Sequence, residues 1–190
     1  MRTRHPRVAP LSDAEMSPAQ NEATASIRER IGKVPNIART LVRAPRAFAA
    51  ISAMGAYLSS EDCALGARER ELVILRVAYR CRSGYEWTAH AGLGRTCGLT
   101  DEEIDLLKRD AVEGLAESDA ALVRAVDEIQ AAQFVSDAAW RELGRHFADE
   151  QRMDAIFTAA QYTQLAILLN TFGVQMDENH TLDPDFAPDA

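Results

Sequence analysis

The chain is predicted to fold as an all-α protein, on three observations. Apolar residues recur at the three- and four-residue spacing of helix faces, as in Leu122, Val126 and Ile129 or in Trp140, Leu143 and Phe147. Helix-start signatures precede several of these runs and glycines follow them. Neither the two-residue alternation of strands nor a tandem repeat is present.

The elements follow in order. Residues 1–16 read as a loose arm. Ser17-Pro18-Ala19-Gln20 combines a capping-box pattern with proline at the first helical position, and Gly32 and Pro35 end the helix so begun. A short segment over 36–43 comes next. Pro45 opens a helix on which Phe48, Ile51, Ser52 and Gly55 leave a face of small side chains, suited to close helix packing. Over 67–79, Leu72, Val73, Ile74, Leu75, Val77 and Ala78 cover nearly the whole circumference, which predicts burial on several sides and fits a subunit interface. A helix over 83–97 stops at Gly98, and Thr100-Asp101-Glu102-Glu103 is a second capping box opening a short helix that ends near Arg109. Three amphipathic helices remain; the last runs from Met153 through Ile156, Phe157 and Ala160 into QYTQLAILLN until Gly173 breaks it. The expected organisation is an arm over 1–16, one helical domain over 17–178, and a tail rich in Pro and Asp over 179–190.

A chain of 190 residues is long enough to bury a sizeable core as one domain. A formal charge of -8 and a pI near 5.0 argue against binding to nucleic acid or an anionic membrane, which depends on clustered Lys and Arg. No apolar stretch approaches the roughly 20 residues of a membrane span, and the N-terminal RTRHPRVAPLSD has no apolar signal core, so a soluble cytoplasmic protein is expected. Cys63, Cys81 and Cys97 lie 18 and 16 residues apart, which leaves no Cys-x-x-Cys pair. Reduced, mostly buried thiols are expected.

Residues 71–90, ELVILRVAYRCRSGYEWTAH, carry most of the chemistry. Glu86 and His90 are four apart and share a helix face, while Glu71 stands twelve residues before Ser83. Two carboxylates and a histidine in an apolar setting make an acid–base set. The same residues have plainer readings. Ser83-x-x-Glu86 is a complete capping box, and Glu86 with His90 is an ordinary pair of a few tenths of a kcal/mol. No metal site is expected, because neither His-x-His nor His-Glu-x-x-His spacing occurs. His5, His146 and His180 read as solvated or structural. Tyr85 and Trp87 read as pocket walls or as ordinary core aromatics, and Arg76, Arg80, Arg82 and Arg95 as solvated charges or as partners for a substrate carboxylate.

The segments VPNIARTLVRAP, ARERELVILRVAYRCRSGYEWTAH, GLTDEEI and QYTQLAILLNTFGVQMDE together resemble the carboxymuconolactone decarboxylase family, over roughly residues 30–178. That family shares its fold with alkyl hydroperoxidase D. The resemblance implies an alkyl hydroperoxidase D-like helical fold, assembled as a homotrimer or homohexamer. In the hydroperoxidase branch a Glu is followed after twelve residues by Cys-x-x-Cys, and four residues later by His. Those positions here hold Glu71, Ser83, Glu86 and His90. Neither serine nor glutamate can attack a peroxide or resolve a sulfenic acid, so peroxidase activity is disfavoured. Cys81 is two residues from the first thiol position and faces elsewhere on a helix.

The Glu-x-x-x-His form resembles the decarboxylase branch, whose reaction removes CO2 from a lactone acid without a metal or organic cofactor. For that chemistry His90 is expected to donate the proton that quenches the dienolate or to hydrogen-bond the carbonyl oxygen, Glu86 to orient the imidazole and favour its charged form, and Glu71 to relay a proton or hold a raised pKa. Ser83, Tyr85, Trp87 and Arg80, the last as one of the four candidate arginines, are the candidate substrate-binding residues, and the resemblance implies no cofactor and a small organic acid or lactone as substrate. Isomerisation, dehydration or cyclisation at the same Glu/His site is the alternative. A non-catalytic oligomeric protein that binds a ligand is the reading from another class.

Overall fold

Local signals set the first helices in the computed structural model, which describes residues 3–110, 113–178 and 180–187. α1 (Pro18–Ile31) starts where the Ser17 hydroxyl accepts from the Gln20 N–H and the Gln20 side chain accepts from the Ser17 N–H. It stops at Gly32, whose φ of 74° costs glycine little. α2 (Asn36–Leu41) and α3 (Pro45–Leu58) follow. On α3, Phe48 is buried and the Ile51 carbonyl accepts from Gln161, but Gly55 faces open space, so the small face packs at one end only.

The remaining helices are α4 (Ala67–Arg80), α5 (Gly84–Thr96), α6 (Asp101–Leu106), α7 (Glu117–Ala132), α8 (Asp137–His146) and α9 (Asp149–Phe172), with a 3-10 turn at Pro184–Phe186. Among the described residues there is no strand. Every residue from Glu71 to Ala78 is buried, because α5, α7 and α9 of the same chain surround α4. The all-round apolar pattern of α4 is thus accounted for inside the chain rather than by a subunit interface. Arg76, fully enclosed, ties α4 to α7 through two bonds to Asp127 at 2.7 and 2.6 Å and caps the Leu107 and Arg109 carbonyls.

α5 approaches α4 closely because Gly94 has no side chain: a Cβ there would meet Leu99 at 3.0 Å and Leu75 at 3.3 Å, with the Glu71 Cβ at 3.8 Å. Gly94 lies one turn beyond His90, so this contact brings His90 towards α4.

Both termini differ from expectation. Within residues 3–16 the predicted loose arm is fastened down: the Arg7 and Val8 N–H groups donate to the Phe172 carbonyl, Arg39 bonds the Leu11 carbonyl, and Leu11 and Met16 are buried. Residues 1 and 2 of that arm lie outside the described residues. The tail folds back as well. Phe186 stacks on Trp87 with centroids 5.3 Å apart, and Asp183 accepts from the Trp87 indole and from Lys108. Its residues 179 and 188–190 lie outside the described residues. Among the described residues no helix is long and apolar enough to cross a membrane.

Candidate active site

α4 presents Glu71 towards α5, and α5 presents Glu86 and His90 one turn apart. The His90 Nδ1 lies 2.7 Å from Glu71 Oε2, and its Nε2 lies 3.4 Å from Glu86 Oε2. All three side chains are largely enclosed, His90 being the most exposed at 14%. Burial by itself would depress the imidazole's pKa. The bond to Glu71, then that to Glu86, and the charges of both carboxylates outweigh burial and push it up to about 9. At neutral pH this favours the imidazolium form, which donates to both carboxylates.

The turn into α5 is unusual. α4 ends at Arg80 with Cys81 as its C-cap, and Arg82 adopts φ 50°, a left-handed conformation that costs a non-glycine residue of order 1 kcal/mol. The Ser83 N–H donates to the Ala78 carbonyl at 2.8 Å. That bond removes the target of a capping box, and Glu86 turns to His90 instead of reaching back. The predicted Ser83–Glu86 box is accordingly absent: Ser83 has ψ 88°, against 162° and 160° at the true caps Ser17 and Thr100. Ser83 Oγ and Glu86 Oε1 are buried without a hydrogen-bond partner. Each orphan of this kind costs about 1–3 kcal/mol, and the fold tolerates two beside the imidazolium.

The other expected substrate contacts are occupied elsewhere. Arg80 is nine residues beyond Glu71, about 2.5 turns, which puts it on the opposite face of α4. There it bonds Asp127 and Asp110. Arg76 is spent on Asp127, and Arg95 on exposed Asp101. The Tyr85 hydroxyl donates to Asp177 at 2.7 Å, and Trp87 is sealed under Phe186 and Asp183. Both therefore fix the α5 backbone behind Glu86. Cys81 Sγ lies 3.1 Å from Gln130 Oε1, and the three cysteines are half-buried.

Sequence reasoning missed Tyr162 of α9, whose ring meets His90 edge-on with centroids 5.1 Å apart and planes at 89°. No local spacing marks it. A groove of about 700 Å³ between α7, α8 and α9 is lined by Phe134, Trp140, Met153, Phe157 and Ile167 among others. It is lined by no titratable side chain and by none of Glu71, Glu86 and His90. Among the described residues no group of three or more His, Cys, Asp or Glu is arranged to hold a metal ion.

Residues 45–128 match the carboxymuconolactone decarboxylase family. The matched segment runs from α3 into α7 and contains Glu71, Ser83, Glu86 and His90, whereas Tyr162 lies beyond it. The chain is similar to an uncharacterized peroxidase-related protein from Ralstonia eutropha JMP134, described as an alkylhydroperoxidase AhpD core, with 21% identity over 91% of this chain and 93% of that one and a TM-score of 0.80. It is also similar to an uncharacterized peroxidase-related protein from Silicibacter sp. TM1040, with 17% identity, 93% and 95% coverage, and a TM-score of 0.77. The debrominase Bmp8, solved in complex with 2,3,4-tribromopyrrole, matches at 12% identity, 94% coverage of both chains and a TM-score of 0.73. At these identities the likeness shows the fold, which is the AhpD-like helical one. Comparison with curated proteins finds none that matches.

Proposed function

We propose that the chain is a cofactor-independent acid–base enzyme acting on a small organic acid or lactone, and that its reaction is decarboxylation of a lactone acid through a dienolate. One observation carries the reading: a buried imidazolium held at 2.7 Å by Glu71 and at 3.4 Å by Glu86. The carbon–carboxylate bond breaks, CO2 leaves, and the electron pair passes into the conjugated lactone carbonyl, so the substrate is its own electron sink. The dienolate then takes one proton. His90 supplies it from Nε2, whose contact is the longer, while Glu71 holds Nδ1 and the proton is restored from solvent. A positioned acid of this kind contributes about 10²- to 10⁴-fold.

Ser83 stays in the reading as the hydroxyl beside Glu86, and Tyr85 and Trp87 as the wall that holds it. Arg80 leaves it, being committed to Asp127 on the far face of α4. Isomerisation, dehydration or cyclisation would draw on the same proton donor.

The test is a paired assay of purified protein without added metal or cofactor: CO2 release from γ-carboxymuconolactone, and organic-peroxide consumption with a dithiol reductant. CO2 release that falls about 10²-fold or more in His90→Gln is expected. Peroxide turnover would overturn the reading in favour of thiol chemistry, and silence in both would move it to the other lactone and acid reactions.

The proposal includes a homotrimer or homohexamer in the cytoplasm. Phe134 at 65% exposure, Ile167 at 58% and Met153 at 52% lie along one groove, more than scattered surface residues supply. Light scattering is expected to give a multiple of the 20.9 kDa chain that Phe157→Glu reduces. A monomeric wild type would end this part of the proposal.

A further inference from the structure

The ring of Tyr162 meets His90 edge-on, 5.1 Å away, on the α9 side of the cluster. The residues flanking it are tied to two other helices. Gln161 donates to the Ile51 carbonyl of α3 at 3.2 Å, and Thr163 accepts from Gln130 of α7 at 2.6 Å while donating to the Ala159 carbonyl. α9 is thus fixed at the level of the ring, and Tyr162 has little room to relax away from the imidazole.

We infer that Tyr162 is a positioning residue for His90: its ring closes a side of the imidazole that Glu71 and Glu86 leave open, holding the ring plane and keeping water from the ion pair. The ring carries this role, not the hydroxyl. Tyr57 and Tyr85 donate to Asp154 and Asp177 at 2.7 Å each, whereas the Tyr162 hydroxyl bonds no described residue. Burial first, then the charges of Glu86 and Glu71, hold this phenol well above its usual range, with Arg70 and Arg30 opposing weakly. It therefore stays neutral and adds no charge to a cluster made of Glu71 from α4 and Glu86 and His90 from α5.

The consequence can be measured without a substrate. The attraction of His90 for its carboxylates rises as the local dielectric falls. Opening the ring's place to water shrinks both the burial penalty and this attraction. The attraction is the larger, so the imidazole's midpoint moves down towards its ordinary value near 6.5.

The experiment is the ¹⁵N NMR titration of histidine-labelled full-length protein, with His90 assigned from the His90→Gln spectrum. Tyr162→Phe is expected to titrate as the wild type, and Tyr162→Ala about one pH unit lower or more. Tyr162→Ser, which opens the ring's place to water as alanine does, is expected to fall likewise and serves if the alanine variant does not fold. A folded alanine or serine variant with the wild-type midpoint would overturn the inference. So would a phenylalanine variant that falls as far as alanine, since the hydroxyl would then carry the role. A second arm rests on the proposed function: in the CO2-release assay Tyr162→Ala lowers kcat more than it raises KM, and Tyr162→Phe restores it. Silence of the wild type there would sink the decarboxylase reading and leave the titration to decide Tyr162.

Discussion

His90 Nδ1 stands 2.7 Å from Glu71 Oε2, across 19 residues of sequence and between two helices that the missing side chain of Gly94 lets approach. The bond converts a histidine of ordinary pKa into one that stays charged at neutral pH, and its first consequence is for stability.

His90 titrates at about 9 in the fold, against an ordinary value of 6.5. A group whose folded pKa is raised stabilises the fold fully below the unfolded value and loses that contribution as pH rises through the folded one. The window here is about pH 6.5 to 9, and the loss across it is on the order of 3 kcal/mol. Urea midpoints at about pH 6 and about pH 10 are expected to show it in the wild type and not in His90→Gln. Equal pH slopes in both proteins would remove His90 from the account.

Ser83→Ala separates a cap from an orphan. A working N-cap loses about 1 kcal/mol when its hydroxyl is deleted, and that is the expectation for Ser17→Ala, where both halves of the box are made. Ser83 Oγ bonds nothing, so its removal relieves a buried polar group and leaves the melting temperature unchanged or higher. A loss equal to that of Ser17→Ala would mean that Ser83 caps α5 after all.

These two serines show what was legible in the sequence and what was not. Ser17 and Thr100 were readable as caps because a cap is decided within four residues, and Gly32 and Gly173 as stops because a positive φ is a local demand. Ser83 carries the same letters, yet its N–H goes to Ala78 and its Glu86 goes to His90, choices made by the turn out of α4. The Glu86–His90 pair was visible as a helix spacing, and Glu71 through the family resemblance. Arg80 was misplaced because Asp127, its partner, lies 47 residues on. The two termini show no apolar periodicity, and what fastens them is carbonyls and aromatic faces supplied by distant helices.

Asp127→Ala is expected to destabilise the fold by about 3–5 kcal/mol, because it leaves Arg76 charged, fully enclosed and without its carboxylate. Arg80 is partly exposed and can return to water. Asp110→Ala, which removes only an exposed partner of Arg80, is expected to cost less than about 1 kcal/mol. Chemical denaturation of the two variants beside the wild type checks the contrast. Equal losses would show that Arg76 does not depend on Asp127.

Glu71 and Glu86 hold the same ring unequally, and their amide variants rank them. Glu71→Gln keeps the shape but replaces a charged acceptor at 2.7 Å, whereas Glu86→Gln replaces one at 3.4 Å whose other oxygen is already unpaired. The bond to Glu71 is also the larger of the two upward influences on the imidazole. The His90 midpoint is therefore expected to fall further in Glu71→Gln than in Glu86→Gln. If His90 is the acid, the alkaline limb of the pH–rate profile moves down with it in the same order. NMR titration reads the first effect and the pH–rate profile the second. A reversed order in the titration would assign the controlling bond to Glu86 and make Glu71 the secondary partner.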